Sequence, residues 1–350
     1  MNKPAKPNAD TGAALAQVVF APRSIALIGA SADVTKYSSL PQRYLRKHGF
    51  TGDIFPINPA RPEIFGETAY PSVDRVPKPV DHAYIMLPAH LVPEAVEQCA
   101  THGVRCATIL SAGFAEVGAA GRKMQDAIVA SARRAGMRIL GPNCFGLINA
   151  GQGIALTANE AMEMPRIEAG HISLLSQSGS LLGSLLTRGQ ARGLRFAKLI
   201  SVGNEADLGI GELGELLVDD PDTHAILLFL ETIRDAKGFA QMARRAFQAG
   251  KPLIGYLLGR STVGNELAAS HTGAIAGNSA AVEAFLRENG VICVEMFETL
   301  IEMAPFVIGR RPSERRRVNV MTTTGGGGAL LVDNMSLRGV NAVGPGPAAV

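Results

Sequence analysis

What this chain has little of narrows its function before any motif is read. Charge of one sign is scarce: 34 Lys and Arg face 31 Asp and Glu, leaving a formal charge of +3, with 19% charged and 47% apolar residues. That balance excludes a basic nucleic-acid platform and an acidic disordered chain. Four cysteines, Cys99, Cys106, Cys144 and Cys293, form no CxxC pair and are too sparse to staple 350 residues, so a reducing compartment is expected. No apolar run approaches the roughly 20 residues of a membrane helix, and the start, MNKPAKPNADTGAALAQ, lacks the apolar core of a signal peptide. A cytoplasmic protein with a flexible N-terminal stretch, residues 1–15, is expected. Tryptophan is absent and aromatics make up 5%, whereas glycine contributes 39 residues, many just after apolar runs, where they suit turns and backbone contacts to ligands.

Short aliphatic runs alternate with amphipathic stretches of helical length, the pattern of parallel α/β units. In the first third, strands are predicted at 24–28, 53–57, 82–86, 106–110 and 137–140, with helices at 91–102 and 121–135 among them. These make a Rossmann-like, doubly wound domain over 16–150, with its ligand crevice at the carboxyl ends of the strands. A second series, at 171–175, 196–201, 225–230, 253–257 and 291–294, predicts a flavodoxin-like domain over 151–310. Its opening unit, HISLLSQSGSLLGSLLTR, is echoed by RVNVMTTTGGGGALLVDNM from Arg317. The basic stretch RRPSERRR reads as a solvated hinge, and 311–350 as the start of a third, incomplete flavodoxin-like domain.

Five motifs can carry chemistry. In IALIGASADVTKYSS, Gly29, Ala30 and Ser31 follow a buried strand and lead through Lys36 toward a helix, a place where backbone N–H groups can hold a pyrophosphate. The spacing is not GxGxxG, and the second strand ends in Asn58 rather than in an acid, which weakens a nicotinamide dehydrogenase reading. LSAGFAEVG, with Ser111 and Gly113, and LGPNCFGLIN, with Asn143, lie at strand ends of the same domain. Cys144 reads as a small buried residue rather than a nucleophile, since no histidine is near it in sequence. In LLSQSGSLLGSLL, Ser176, Gln177, Ser178 and Gly179 open a helix and suit a phosphoryl group, although serine is also simply a good N-cap. Gly is missing at the first position of a Gly-x-Ser-x-Gly hydrolase elbow, where Ser176 stands. ASHTGAIAGN places His271 in a loop of small residues that could let a phosphorylated imidazole approach backbone donors, and LLFLETIRD ends an apolar strand on Glu231, which could orient an imidazole or merely cap a helix. No set of metal ligands is assigned.

Together, in this order, LGPNC, SQSGS, SVGNEAD, LETIRD and SHTGAIAG resemble the acyl-CoA synthetases that form a nucleoside diphosphate, here the ADP-forming acetate-CoA ligase type, related to the succinyl-CoA synthetase α subunit. The likeness runs from APRSIALIGAS to TTTGGGGALL. It implies a CoA-binding domain followed by two flavodoxin-like domains, with His271 as the phosphorylated histidine, Glu231 as the glutamate that holds it, and Ser176 and Ser178 in the phosphate cradle. It places coenzyme A against the segment from Gly29 to Lys36, Asn58 and the Asn143 turn. ATP and Mg2+ would be bound by an ATP-grasp domain or subunit that is not in these 350 residues, so the chain is expected to be half of an oligomeric enzyme acting on a small carboxylic acid, with no nucleic-acid or membrane partner. A CoA-binding regulatory or scaffold protein and a protein acetyltransferase relative are the alternatives. The first would not need His271 with Glu231, and the second commonly carries an appended acetyltransferase domain.

Overall fold

A computed structural model describes residues 9–261, 263–264, 279–312, 318–342 and 344. The chain divides into two compact units, Met1–Gly309 and Arg310–Val350. The first begins with helix α1 (Ala9–Phe20), where a loose stretch to residue 15 is expected from sequence. Its last turn is apolar and buried at Val18, Val19 and Phe20, so the helix is tied down by packing.

The five strands expected in the first third form one parallel sheet. They are β1 (Ser24–Ile28), β2 (Asp53–Ile57), β5 (His82–Ile85), β6 (Cys106–Ile109) and β7 (Arg138–Leu140), in the order β2-β1-β5-β6-β7, with β3 (Glu63–Ile64) and β4 (Glu67–Thr68) as a small hairpin aside. The strands are nearly continuous apolar runs, SIALI in β1 being buried throughout, because helices cover both faces of such a sheet. Those helices include α2 (Leu40–Lys47), α3 (Val92–Thr101) and α4 (Ala119–Arg134). Pro at the first turn of α2 and α3 supplies no N–H where none is needed.

The second sheet contains β10 (Ala169–Ser176), β11 (Phe196–Ser201), β12 (Ala225–Leu230), β13 (Leu253–Leu257) and β14 (Ile292–Val294) in parallel, in the order β14-β13-β12-β10-β11. Two strands not anticipated from sequence, β8 (Gly146–Asn149) and β9 (Ile154–Thr157), extend it by antiparallel pairing beyond β11. They are four residues each and follow the LGPNCF turn directly, so their apolar residues read as a loop without the β11 partner. Helices α5 (Gly179–Ala191), α6 (Ile210–Asp219), α7 (Ala236–Gln248) and α8 (Ser279–Glu288) connect the parallel strands. In both sheets the order reverses next to the first strand, at β1/β5 and at β10/β12. Doubly wound sheets bind ligands at such switch points.

In the second unit, Thr324 accepts a hydrogen bond from the Gly327 N–H at 3.0 Å and caps helix α9 (Gly325–Ser336). Val318 and Ala342 flank this turn and helix as a parallel bridge. No residue of α9 is buried within the chain, and Leu330 and Leu331 are exposed. Among the described residues, no helix is long and apolar enough to cross a membrane.

Candidate functional site

The loops on the carboxyl side of the first sheet gather Gly29, Ala30, Ser31, Lys36, Asn58, Ser111, Gly113 and Asn143. Gly29 has φ +87°, and a Cβ there would stand 2.9 Å from Leu87 Cδ2 and 3.2 Å from the Met86 carbonyl oxygen. Only glycine lets the chain turn this tightly beside the β5 loop. Its N–H donates to Ile57 O at 3.1 Å. Asn58 ties the two loops: its side-chain amide donates to Ala30 O at 2.8 Å and accepts from the Ala60 N–H at 2.8 Å. Ser31 Oγ accepts from the Asp33 N–H at 3.1 Å, and the Lys36 N–H donates to Asp33 O at 3.1 Å, leaving the Lys36 side chain exposed. Hydrogen bonds from Thr35 hold the exposed Asp33 carboxyl below its ordinary range. Ser111 Oγ donates to Leu87 O, while its carbonyl accepts from the Asn143 N–H at 2.9 Å. Asn143 sits at φ +56°, a conformation asparagine tolerates. The result is a set of turns held mainly by backbone and by one amide.

At the second switch point Gln177, at the end of β10, reaches across to the end of β12. Its Oε1 accepts from the Glu231 N–H and, at 3.0 Å, from the Thr232 N–H, while its Nε2 donates to Thr232 O at 2.9 Å. The turn that carries Glu231 is thereby fixed beside the start of α5. Ser176 is fully buried, with Oγ donating to Ser178 O at 2.7 Å. Ser178 stands at the N-cap position without a side-chain capping bond, its hydroxyl lying 3.5 Å from Ser180 Oγ, so the plain N-cap reading does not describe it. Gly179 has a packing reason, since a Cβ there would meet the Phe145 ring at 2.3 Å. His271 lies outside the described residues.

SVGNEAD carries the family resemblance but no motif that marks it as a ligand loop. In the structure the segment between β11 and α6 joins both sites. Asn204 Nδ2 donates to Glu116 Oε2 at 2.5 Å and lies 3.1 Å from Gln125 Oε1. Glu116 also accepts from the Gly113 and Phe114 N–H groups at 2.5 and 3.1 Å. Burial pushes the Glu116 carboxyl up, but these donors win and hold it below its ordinary value. Glu205 accepts from Gln177 Nε2 on one oxygen and from the Ile210 N–H at 2.8 Å on the other. The available signal was an amide and two acids directly after a buried strand, the same position that the other ligand loops occupy.

Two buried residues of the first domain are structural. Cys144 is fully buried, its thiol 2.9 Å from Ser201 O and pushed up to about 12 by desolvation, so it is a packing residue. His82 is buried with its ring nitrogens 2.8 Å from Val18 O and from Thr108 Oγ1, and burial lowers it to about 4, keeping the imidazole neutral. Among the described residues no group of three or more His, Cys, Asp or Glu is placed to hold a metal ion.

Comparison with known proteins fits this geometry. Residues 23–150 match the CoA binding domain family, and residues 169–307 match the succinyl-CoA ligase like flavodoxin domain. The chain is 37% identical over 293 residues to ADP-forming acetate–CoA ligase I of Archaeoglobus fulgidus, covering 84% of this chain and 42% of that protein. It is 35% identical over 321 residues to the alpha subunit of ADP-forming acetate–CoA ligase II of Pyrococcus furiosus, covering 92% of this chain and 68% of the subunit. Among solved structures it superposes with TM-score 0.85 and 33% identity on the dinucleotide forming acetyl-coenzyme A synthetase 1 of Ca. Korarchaeum cryptofilum in complex with phosphate and ADP, covering 94% of this chain and 69% of that one. The chain thus spans about two-fifths of the Archaeoglobus ligase and about two-thirds of the Pyrococcus subunit. With both matched domains in one fold and 35% identity over two-thirds of the Pyrococcus subunit, the chain belongs to the ADP-forming acetate–CoA ligase family, related to the succinyl-CoA ligases.

Proposed function

We propose that this chain supplies the CoA-binding and phosphohistidine parts of an ADP-forming acyl-CoA synthetase, working with an ATP-grasp domain or subunit. The observation that supports it most is the clasp at the second switch point, where Gln177 of the phosphate-cradle turn holds the backbone of Glu231. A carboxylate at that turn can bond one imidazole nitrogen of His271, fixing the tautomer and leaving the other nitrogen as nucleophile. The γ-phosphoryl group of ATP passes to that nitrogen, releasing ADP. A carboxylate oxygen of the acid then attacks phosphorus, forming the acyl phosphate and freeing the imidazole. Last, the CoA thiolate attacks the acyl carbon, and inorganic phosphate leaves. Splitting the reaction through a covalent carrier lets one loop serve two separate sites.

Magnesium would enter with the nucleotide in the ATP-grasp part. Ser176, Gln177, Ser178 and Gly179 are the proposed phosphate contacts. Gly29, Ala30, Ser31, Lys36, Asn58, Ser111, Gly113 and Asn143 are the proposed CoA side. The acid is a small carboxylate whose identity a substrate panel decides. A cytoplasmic setting is proposed from four cysteines without a disulfide. The test is labelling with γ-labelled ATP in the presence of the ATP-grasp part: an acid-labile, base-stable label is expected, absent in His271→Ala and reduced in Glu231→Gln with CoA affinity kept. A label that persists in His271→Ala would overturn the reading.

A further inference from the structure

We propose that Glu205 is a positioning residue for the phosphoryl-transfer turn, acting through the Gln177 amide to set where Glu231 stands. This inference rests on the reading of Glu231 given above and adds a residue to it.

The Gln177 amide has two orientations, and its neighbours accept only one. Its oxygen must face the Glu231 and Thr232 N–H groups, and its nitrogen must face an acceptor. Thr232 O, at 2.9 Å, takes one of the two amide protons, and Glu205 Oε1 takes the other. The second Glu205 oxygen accepts from the Ile210 N–H at 2.8 Å, at the first residue of α6. A carboxylate accepting at both oxygens suits this place. A side-chain amide would set N–H against N–H at one end or the other.

The backbone supports the same conclusion. Glu205 has φ +52°, in the left-handed region that glutamate seldom adopts, and a Cβ on Gly209 would approach Glu205 Oε2 to 3.0 Å. Such strain persists where the surroundings over-determine the conformation. Here they do: the Glu205 N–H donates to Val202 O at 3.2 Å, and on either side the Asn204 and Ala206 N–H groups donate to Pro142 O and Gly141 O at 2.9 and 3.0 Å. Desolvation raises the Glu205 carboxyl above its ordinary value, with hydrogen bonds from Gln177 and Ile210 opposing the rise. Among the described residues its hydrogen-bond donors are the Gln177 amide and the Ile210 N–H, with Arg234 acting only at longer range, so the amide is the group that its position orients.

Hydrogen exchange of the full chain, read on peptides covering 228–235, tests this without relying on turnover. Glu205→Gln should speed exchange at the Glu231 and Thr232 amides by roughly tenfold or more, with CoA affinity measured by calorimetry unchanged. The exchanged pair Gln177→Glu with Glu205→Gln restores one donor–acceptor contact between the two side chains and should recover part of the protection. In the enzyme joined to its ATP-grasp part, Glu205→Gln should lower the rate of His271 labelling while leaving the KM for CoA unchanged. Unchanged exchange in Glu205→Gln would overturn the proposal, as would a paired variant no better protected than Glu205→Gln alone. Protection lost across the whole second sheet, both in Glu205→Gln and in Glu205→Asp, which suits the left-handed backbone better, would overturn it too. If wild-type His271 never labels, the reading of the activity fails, while the exchange data still decide whether Glu205 holds the turn.

Discussion

Glu205 and Asp207 lie two residues apart on one loop, and their carboxyls respond to burial in opposite ways. Burial pushes both upward. At Asp207 it is outweighed: Arg138 donates to it through Nε at 2.9 Å, Arg133 through Nε at 2.7 Å and the Ile139 N–H at 2.8 Å, and the carboxyl is held below its ordinary value. At Glu205 the hydrogen-bond donors among the described residues are neutral N–H groups, Arg234 and Asp235 act in opposite senses from further off, and the carboxyl stays raised by burial. Charged partners make the first a bolt between the two sheets, since Arg133 and Arg138 belong to α4 and β7. Neutral partners make the second an orienting acceptor. The lesson is that burial pushes every such acid up, and the donors it meets, charged at Asp207 and neutral at Glu116 and Glu205, decide how much of that push remains.

The comparison can be broken most forcefully at the bolt. Asp207→Ala leaves the half-buried Arg138 with Glu212 as its remaining carboxylate partner and should cost about 3 kcal/mol or more of unfolding free energy, read from the urea midpoint. A loss under about 1 kcal/mol would show that the pair is an ordinary surface contact. Gly29→Ala comes next, at about 2 kcal/mol, because the new Cβ must stand at positive φ against Leu87 and Met86, and calorimetry should show weakened CoA binding.

The two acids should also differ with pH. Asp207 has a depressed folded-state value, so its contribution is present above the unfolded value near 3.8 and is lost as pH falls through the folded one. Glu205 has a raised value, so the fold gains most with the acid protonated, at and below the unfolded value near 4.5, and loses that gain as pH rises through the folded value. Urea midpoints across pH should therefore lose their acid-side slope in Asp207→Ala and their slope just above 4.5 in Glu205→Gln. Smallest of all is the exposed pair Arg287–Glu283 on α8, at 2.7 Å, where Arg287→Ala should change stability by less than about 0.5 kcal/mol.

Most of the strand pattern is legible because a strand buried on both faces writes itself as an uninterrupted apolar run. All six residues of AILLFL in β12 are buried, and the expected bounds 225–230 are the observed ones. β8 and β9 are harder to read because they form a short antiparallel hairpin directly after the LGPNCF turn, outside the strand–helix alternation that marks the other strands. Residues 1–15 read as flexible from their polar composition, and the apolar turn that ties helix α1 down, at Val18, Val19 and Phe20, lies beyond them. The glycine and serine turns stood out through residue type. Gln177 belongs to such a turn, but its grip on Glu231 spans 54 residues, and local sequence carries no sign of it.

By itself the sequence determined the order of the parallel strands and their helices and the glycine and hydroxyl turns that follow the strands, since these depend on neighbours along the chain. Tertiary structure alone decided which turns meet. The reversal of strand order at β10/β12 brings Gln177 to Glu231, and the packing of two sheets carries Asn204 to Glu116 and Asp207 to Arg138. Those contacts close only when whole elements dock, so their hydrogen bonds, and the opposite behaviour of two acids two residues apart, exist in the fold and nowhere in the local pattern.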